Sequence, residues 1–376
     1  MKTGIFLLTE NYGASAHTTI ANDIELGIYA EELGFDSVWF AEHHFNAFSC
    51  IPNPTLMMAT LAAKTRTITI ASAAFLAPFY HPMRLAEEIA TLDNLSFGRI
   101  EAGFAKGGFA YDMEHFEKSP DSLREEMFEN VAHIDSFLAC NQNMQPRPLQ
   151  PKIPFYIATF GTRESIEFAA LQGYGLMFSQ GASLEECQAA QEIYKELAGV
   201  YPQTVLMRVF CFDDAGREAA YEKALPATDH FIKCMRAVQS KEAQPLFNHT
   251  NYTLLLGQRY RFFDGKKFLD NAILGDEKEC IEQINTIQKE IKNLHLVLKP
   301  ASSNALHTRS MLKIFSQKIK PYIEKGMRFL TQTPQISTCF LLPPKMPSAR
   351  KQHSSTRSIA LQKCAQASRK KPTCQV

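Results

Sequence analysis

Gly34-Phe35-Asp36-Ser37-Val38-Trp39-Phe40-Ala41-Glu42-His43-His44-Phe45-Asn46 is the stretch on which the reading of this chain turns. Residues 36–41 form a short apolar run rich in strand formers. It follows a helical pattern that ends at Leu33-Gly34, where the glycine serves as a C-cap. The run stops in a carboxylate and two imidazoles just where the chain has to turn. In a (β/α)8 barrel such strand ends form the active face, and titratable groups there are costly to bury without a use. Taken alone, Glu42, His43 and His44 also read as a hydrogen-bonded polar cap on a strand. No metal is expected. Adjacent residues of an extended strand point to opposite faces, which keeps His43 and His44 from sharing one ion. No His-x-x-x-His or paired-cysteine spacing supports a metal elsewhere.

Outward from this run, strand-like and helix-like segments alternate. Strands are expected at 2–9, 36–41, 68–75, 99–104, 155–158, 175–179, 204–210 and 295–298. Helices are expected at 18–33, 54–64, 82–95, 121–139, 163–172, 183–198, 215–238, 276–291 and 304–323. Eight β-α units in about 320 residues predict an α/β fold of the (β/α)8 TIM-barrel type. A doubly wound sheet is the weaker alternative, because no Gly-x-Gly-x-x-Gly follows the first strand. Residues 239–274 read as a long loop before the last β-α unit, and long loops on this face often act as lids.

The composition, 45% hydrophobic and 21% charged over 376 residues, is that of a globular chain with ample material for a core. No basic-apolar leader opens the sequence, and no apolar run approaches the roughly 18 residues of a membrane span. The nine cysteines lack paired spacing, so reduced thiols and a cytoplasmic location are expected, without membrane or nucleic-acid partners. Charge is uneven. Residues 327–376 hold nine Lys and Arg and no acid; removing nine from the 40 basic residues leaves 31 against 39 acidic ones, a net of −8 for the rest. Two domains follow: a barrel over 1–325 and a basic, low-complexity tail over 326–376, expected to be disordered. The tail reads either as an anion-binding segment or as an incidental extension.

At the strand ends, Gly103-Phe104-Ala105-Lys106-Gly107-Gly108 places a cation beside glycines that let the backbone approach a ligand. It is not a Walker A loop. Thr159-Phe160-Gly161-Thr162 opens a helix beginning at Arg163, and free N–H groups there favour an anion. Together the two stretches make a plausible monophosphate site; an ordinary glycine turn with a capping threonine is the alternative. Ser179 ends the sixth strand.

These runs carry a resemblance. Gly4-Ile5-Phe6-Leu7-Leu8-Thr9, Gly34 to Trp39, Glu42-His43-His44-Phe45, Pro52-Asn53-Pro54, Ala73-Ala74, His81-Pro82-Met83-Arg84 and Gly98-Arg99 through Gly107 occur in the order seen in the bacterial luciferase-like flavin-dependent monooxygenases. The chain resembles that family over roughly residues 1–324. The resemblance implies a barrel that binds reduced FMN without a covalent link. It implies oxidation of a small apolar molecule, aldehyde-like among others, by O2 through a flavin peroxide. A separate flavin reductase and a homodimer or heterodimer are implied as partners. By the same resemblance His43 is the catalytic histidine, supported by His44 and Glu42, and Asp112 lies near the flavin. Ala73 and Ala74 lie against the flavin ring, sometimes through a cis peptide bond. Lys106, Gly107, Thr159, Phe160, Gly161, Thr162, Arg163 and Ser179 are cofactor-binding. Phe160 and Arg163 stand where the family has hydroxyl residues, so their contacts would be through the backbone. Phe75, Phe104 and Phe160 are expected to supply an apolar lining. Two other activities share these features: a deazaflavin-dependent oxidoreductase of the same fold, and a non-catalytic flavoprotein subunit.

Overall fold

Every strand pair in the sheet is parallel, so all strand C-termini emerge at one end. The computed structural model describes residues 1–45, 48–140, 144–237 and 265–324. The strands are β1 (Lys2–Leu7), β2 (Ser37–Phe40), β3 (Thr69–Leu76), β4 (Ile100–Ala105), β5 (Phe155–Ala158), β6 (Gly175–Phe178), β7 (Thr204–Phe212), β8 (Ile273–Gly275) and β9 (Leu294–Pro300). β1 to β6 pair in sequence, β6 pairs with β7, and β9 bridges β7 to β1, which closes a ring of eight. This is the expected (β/α)8 barrel. β8 stands outside the ring, paired with the end of β7 through Phe210, Cys211 and Phe212.

The helices are α1 (Ala16–Glu32), α2 (Pro54–Lys64), α3 (Pro82–Ser96), α4 (Ala110–His115), α5 (Leu123–Cys140), α6 (Arg163–Gln172), α7 (Leu184–Ala198), α8 (Arg217–Ala237), α9 (Gly265–Asp270), α10 (Glu277–Glu290), α11 (Ala305–Ile314) and α12 (Lys320–Glu324). Their ends follow local chemistry. Asn53 caps α2 with Pro54 in its first turn, and Ser183 and Asp276 form capping boxes with Glu186 and Glu279. A π stretch, Phe315–Ile319, joins α11 to α12 in the segment expected as one helix.

Part of the loop expected over 239–274 is structured: Gly265–Asp270 is helical and Ile273–Gly275 is a strand. Six- and three-residue elements are too short to carry a readable period. The remainder, 238–264, lies outside the described residues, as does the expected lid. The chain divides into Met1–Arg328 and Phe329–Val376; the second unit, which holds most of the expected tail, also lies outside the described residues.

The base of the barrel is held by a polar triad in an apolar interior. Trp39 Nε1 donates to Ser37 Oγ at 2.7 Å, and Ser37 Oγ lies 2.8 Å from His295 Nε2, over the strand β1 that separates β2 from β9. Burial and the nearby Lys2 lower His295 to about 3, so its ring is neutral at ordinary pH. Higher up, Gly103 packs against β3: its N–H bonds Ser72 Oγ, and Ser72 Oγ donates back to its carbonyl, both at 3.0 Å. A Cβ at Gly103 would lie 2.5 Å from the Ser72 carbonyl oxygen and 2.8 Å from Met177 Cε. Backbone on one side cannot yield cheaply. Gly103→Ala is therefore expected to cost about 1–3 kcal/mol, measured as a lowered urea midpoint at unchanged slope; an unchanged midpoint would contradict this packing.

Candidate functional site

Glu42 sits just past β2 and is 2% exposed. A buried carboxylate needs partners, and it has three. His44 Nε2 lies 2.8 Å from Oε1, while the Leu76 N–H (3.2 Å) and the Tyr80 hydroxyl (2.8 Å) donate to Oε2. Burial raises the Glu42 pKa, and these three groups oppose the rise, His44 most. His44 is thus committed to Glu42. Its ring also meets Phe116 edge-on at 4.8 Å.

His43 is placed differently. Its backbone N–H bonds Ile51 O at 3.0 Å, which turns the chain after β2. Its ring packs near Phe109, 5.9 Å away, and its buried Nδ1 has no hydrogen-bond partner. Burial, reinforced by the neighbouring His44, lowers its pKa to about 4. The extended geometry expected for Glu42-His43-His44 ends at Phe40, yet the two imidazoles still part: one is paired, one is neutral and available.

Asp112 lies on α4 and is fully buried, and neither carboxylate oxygen has a hydrogen-bond partner. Burial raises it to about 6; His44 pulls it down and Glu42 pushes it up. Glu42, His44 and Asp112 therefore form one electrostatic group. Around them Phe79 stacks on Phe116 at 4.7 Å.

The Ala73–Ala74 peptide is cis, in β3 where its pairing with β4 shifts register between Ser72 and Phe75. Lys106 and Gly107 follow β4. Gly107 has φ +75° and a Cβ there would meet the Phe79 ring at 3.1 Å, so the turn demands glycine. Thr159 closes β5; its Oγ1 accepts from Gly161 N at 3.0 Å, and Gly161 has φ +82°. Thr162 stands at the N-cap of α6 without capping it, because its hydroxyl is turned to Ser165 Oγ at 3.0 Å. The first N–H groups of α6 receive no side-chain cap and face outward from the helix end. The Arg163 guanidinium is turned away, 2.7 Å from Glu167 Oε1, and Phe160 is 57% exposed. Ser179 Oγ and Gln180 Oε1 are buried without hydrogen-bond partners beside this end of the barrel.

A sequence model of luciferase-like monooxygenases matches residues 1–291. The chain belongs to the luciferase-like monooxygenase family. It is 29% identical over 216 residues to the alkanal monooxygenase alpha chain of Photorhabdus luminescens, covering 54% of this chain and 59% of that one. The chain thus spans about three fifths of the length of that curated relative. The monooxygenase RslO1 of Streptomyces bottropensis superposes with a TM-score of 0.73 at 25% identity over 86% of this chain and 99% of RslO1. The oxygenating constituent of 3,6-diketocamphane monooxygenase from Pseudomonas putida, solved with FMN, superposes at 0.68 with 19% identity, over 86% and 99% of the two chains; that likeness is one of fold.

Within this luciferase-like barrel one expectation is corrected. Phe75 and Phe104 are fully buried. Phe104 meets Phe155 edge-on at 4.8 Å, and Phe155 meets Tyr174, whose hydroxyl donates to Asp135 of α5. Alternation along β4 puts Gly103 inward and Phe104 against the helices. Tyr80 was not legible as a site residue. Tyr80 follows a three-residue 3-10 turn, Ala77–Phe79, which has no periodic signal. Among the described residues no cluster of His, Cys, Asp and Glu could hold a metal, and no helix is long and apolar enough to cross a membrane.

Two outcomes follow. Histidine ring signals followed by nitrogen-edited NMR should show His43 titrating below pH 5; a midpoint at the ordinary 6.5 would refute its burial. For Asp112 the folded pKa of about 6 lies above the reference 3.8. The ionised form is therefore penalised in the fold fully above pH 6, and the penalty vanishes below 3.8. Asp112→Asn should stabilise the protein at pH 8 by about 1–3 kcal/mol and leave stability at pH 3.5 unchanged. Equal effects at both pH values would show that the carboxylate finds a partner.

Proposed function

We propose that this protein is an FMNH2- and O2-dependent monooxygenase acting on a small apolar organic molecule. The observation that carries this reading is the division of the two histidines: Glu42 takes His44, while burial keeps His43 neutral with Nδ1 unpaired.

The residues present fit a flavin mononucleotide. Lys106 and the uncapped N–H groups of Thr162–Arg163 at the start of α6 suit a phosphate. Thr159 holds Gly161 in the turn that aims them, and Gly107 keeps the other wall thin. Phe160 and Arg163 contribute backbone only. Ala73 and Ala74 have side chains small enough for a flat ring to lie against β3, and Ser179, whose Oγ has no hydrogen-bond partner, would be a further residue to hold the cofactor. When bound, reduced FMN supplies the electrons that activate O2. The chain then has three tasks. His43 takes up or delivers a proton at Nδ1, which a neutral imidazole can do at neutral pH. Glu42, with Tyr80 and the Leu76 N–H as its other partners, holds the His44 ring in place. The aromatic wall of Phe79 and Phe116 excludes water from the reacting centre.

The alkanal monooxygenase relative supports an aldehyde-like substrate, and the camphane enzyme's description as an oxygenating constituent supports a separate flavin reductase. A homodimer or heterodimer through the α2 and α3 side is consistent with exposed Leu56, Leu95 and Phe97. The test is to bind FMNH2 anaerobically, admit O2, and follow the near-ultraviolet spectrum by stopped flow. Wild type should hold a transient that free FMNH2 lacks, and His43→Ala should change its lifetime about tenfold or more. Lys106→Ala should weaken FMNH2 binding about tenfold without abolishing it. Oxidation indistinguishable from that of free flavin would favour a non-catalytic subunit. Absence of any FMN binding would point to a deazaflavin and overturn the phosphate site.

A further inference from the structure

Glu42 divides its two oxygens between unlike partners. Oε2 accepts from the Leu76 N–H and the Tyr80 hydroxyl, and Oε1 alone faces His44 Nε2, 2.8 Å away. The 3-10 turn Ala77–Phe79 brings the phenol there. Asn130 of α5 ties both ends of that turn, its Nδ2 donating to Ala77 O at 3.0 Å and to Tyr80 O at 3.3 Å. The Tyr80 ring stands edge-on to Phe75 at 6.1 Å. Burial and the charge of Glu42 both push the phenol far above its ordinary range. It therefore keeps its proton and serves as a fixed donor, not as an acid of the reaction.

This division decides where a proton can sit. With two donors already on Oε2, a proton added to Glu42 goes to Oε1, between the carboxyl and His44 Nε2. An ionised Glu42 accepts from Nε2–H, and the lone pair of a neutral His44 ring is then at Nδ1. A protonated Glu42 donates to Nε2 instead, and Nδ1 carries the hydrogen. One state offers a base at Nδ1 and the other a donor. Burial favours the protonated carboxyl. Hydrogen bonds given to a carboxylate favour its ionised form, and of the two donors on Oε2 the phenol makes the shorter bond. The other titratable groups acting on these residues are His43 on the same turn, Asp112 of α4, itself influenced by His115, and Glu88 of α3 through Tyr80. None of them changes when the phenol is removed.

We propose that Tyr80 is a positioning residue of this site: its hydroxyl holds Glu42 as the acceptor of His44 Nε2–H and so selects the His44 tautomer whose lone pair is at Nδ1. Tyr80 acts through Glu42 on the imidazole and makes or breaks no bond itself. Its part in the reaction rests on the monooxygenase reading above; its hold on the tautomer does not. Without the phenol the Glu42–His44 pair keeps its second proton to higher pH, and Nδ1 remains a donor over a range where the wild type offers a base.

The test begins with nitrogen-edited NMR of the full chain, free of flavin, in wild type and Tyr80→Phe. That substitution removes the O–H and keeps the ring beside Phe75. The ring nitrogen shifts report which nitrogen of His44 carries hydrogen. The pH at which Nδ1 loses its proton should be about one unit or more higher in Tyr80→Phe. In stopped flow with FMNH2 and O2, the pH profile of the transient's lifetime should move the same way, with FMNH2 binding retained. An unmoved Nδ1 titration, or a moved titration with an unmoved pH profile, would overturn the proposal. Loss of FMNH2 binding in Tyr80→Phe would show a role in folding the site and overturn it too. A wild type that forms no transient brings down the monooxygenase reading instead, and the NMR titration still decides whether Tyr80 sets the tautomer.

Discussion

Strand β9 makes this molecule a barrel. It pairs over seven residues with β7 and over four with β1, so the last strand in sequence satisfies the free edges of the first and the seventh. Without it an open parallel sheet would expose two rows of backbone groups. Closure gathers the strand C-termini into one ring, and that ring is the only place where residues as distant in sequence as Glu42, Lys106, Thr159 and Ser179 share one end of the fold. The site thus depends on a strand, Leu294–Pro300, that begins about 250 residues after Glu42.

Within the ring the decisive economy is electrostatic. A buried carboxylate is tolerated because it gathers a backbone N–H, a phenol and one imidazole. Having done so, it removes His44 from competition and separates two side chains that are neighbours in sequence into different chemical states. Asp112, roofed by its own helix, is left under-solvated next to them. Groups held in such conflict are stability forgone, and they gather where a ligand or a proton is to be handled.

The barrel was legible in the sequence because eight strands and their helices each carry a period, and caps such as Asn53-Pro54, Ser183 and Asp276 mark the boundaries. The position of Glu42-His43-His44 at a strand end was legible for the same reason. Their division of labour was not, since it rests on Tyr80 and Leu76, residues 38 and 34 positions away in a loop and a strand end. Phe75 and Phe104 misled because periodicity says which residues alternate but not which face is the ring's interior. α4, α9 and β8 are too short to announce themselves.

The chain contains one tryptophan, and it is Trp39, fully buried at the barrel base, edge-on to Tyr156 and His295 and bonded to Ser37. Trp39 belongs to β2 and Tyr156 to β5, so the indole touches a strand that is not its neighbour and reaches it only inside the closed ring. Its emission is therefore a native optical gauge of closure. A blue, quenched-to-water band reports an intact ring, and a red shift reports its opening, free of background from any other indole and distant from whatever binds at the opposite end.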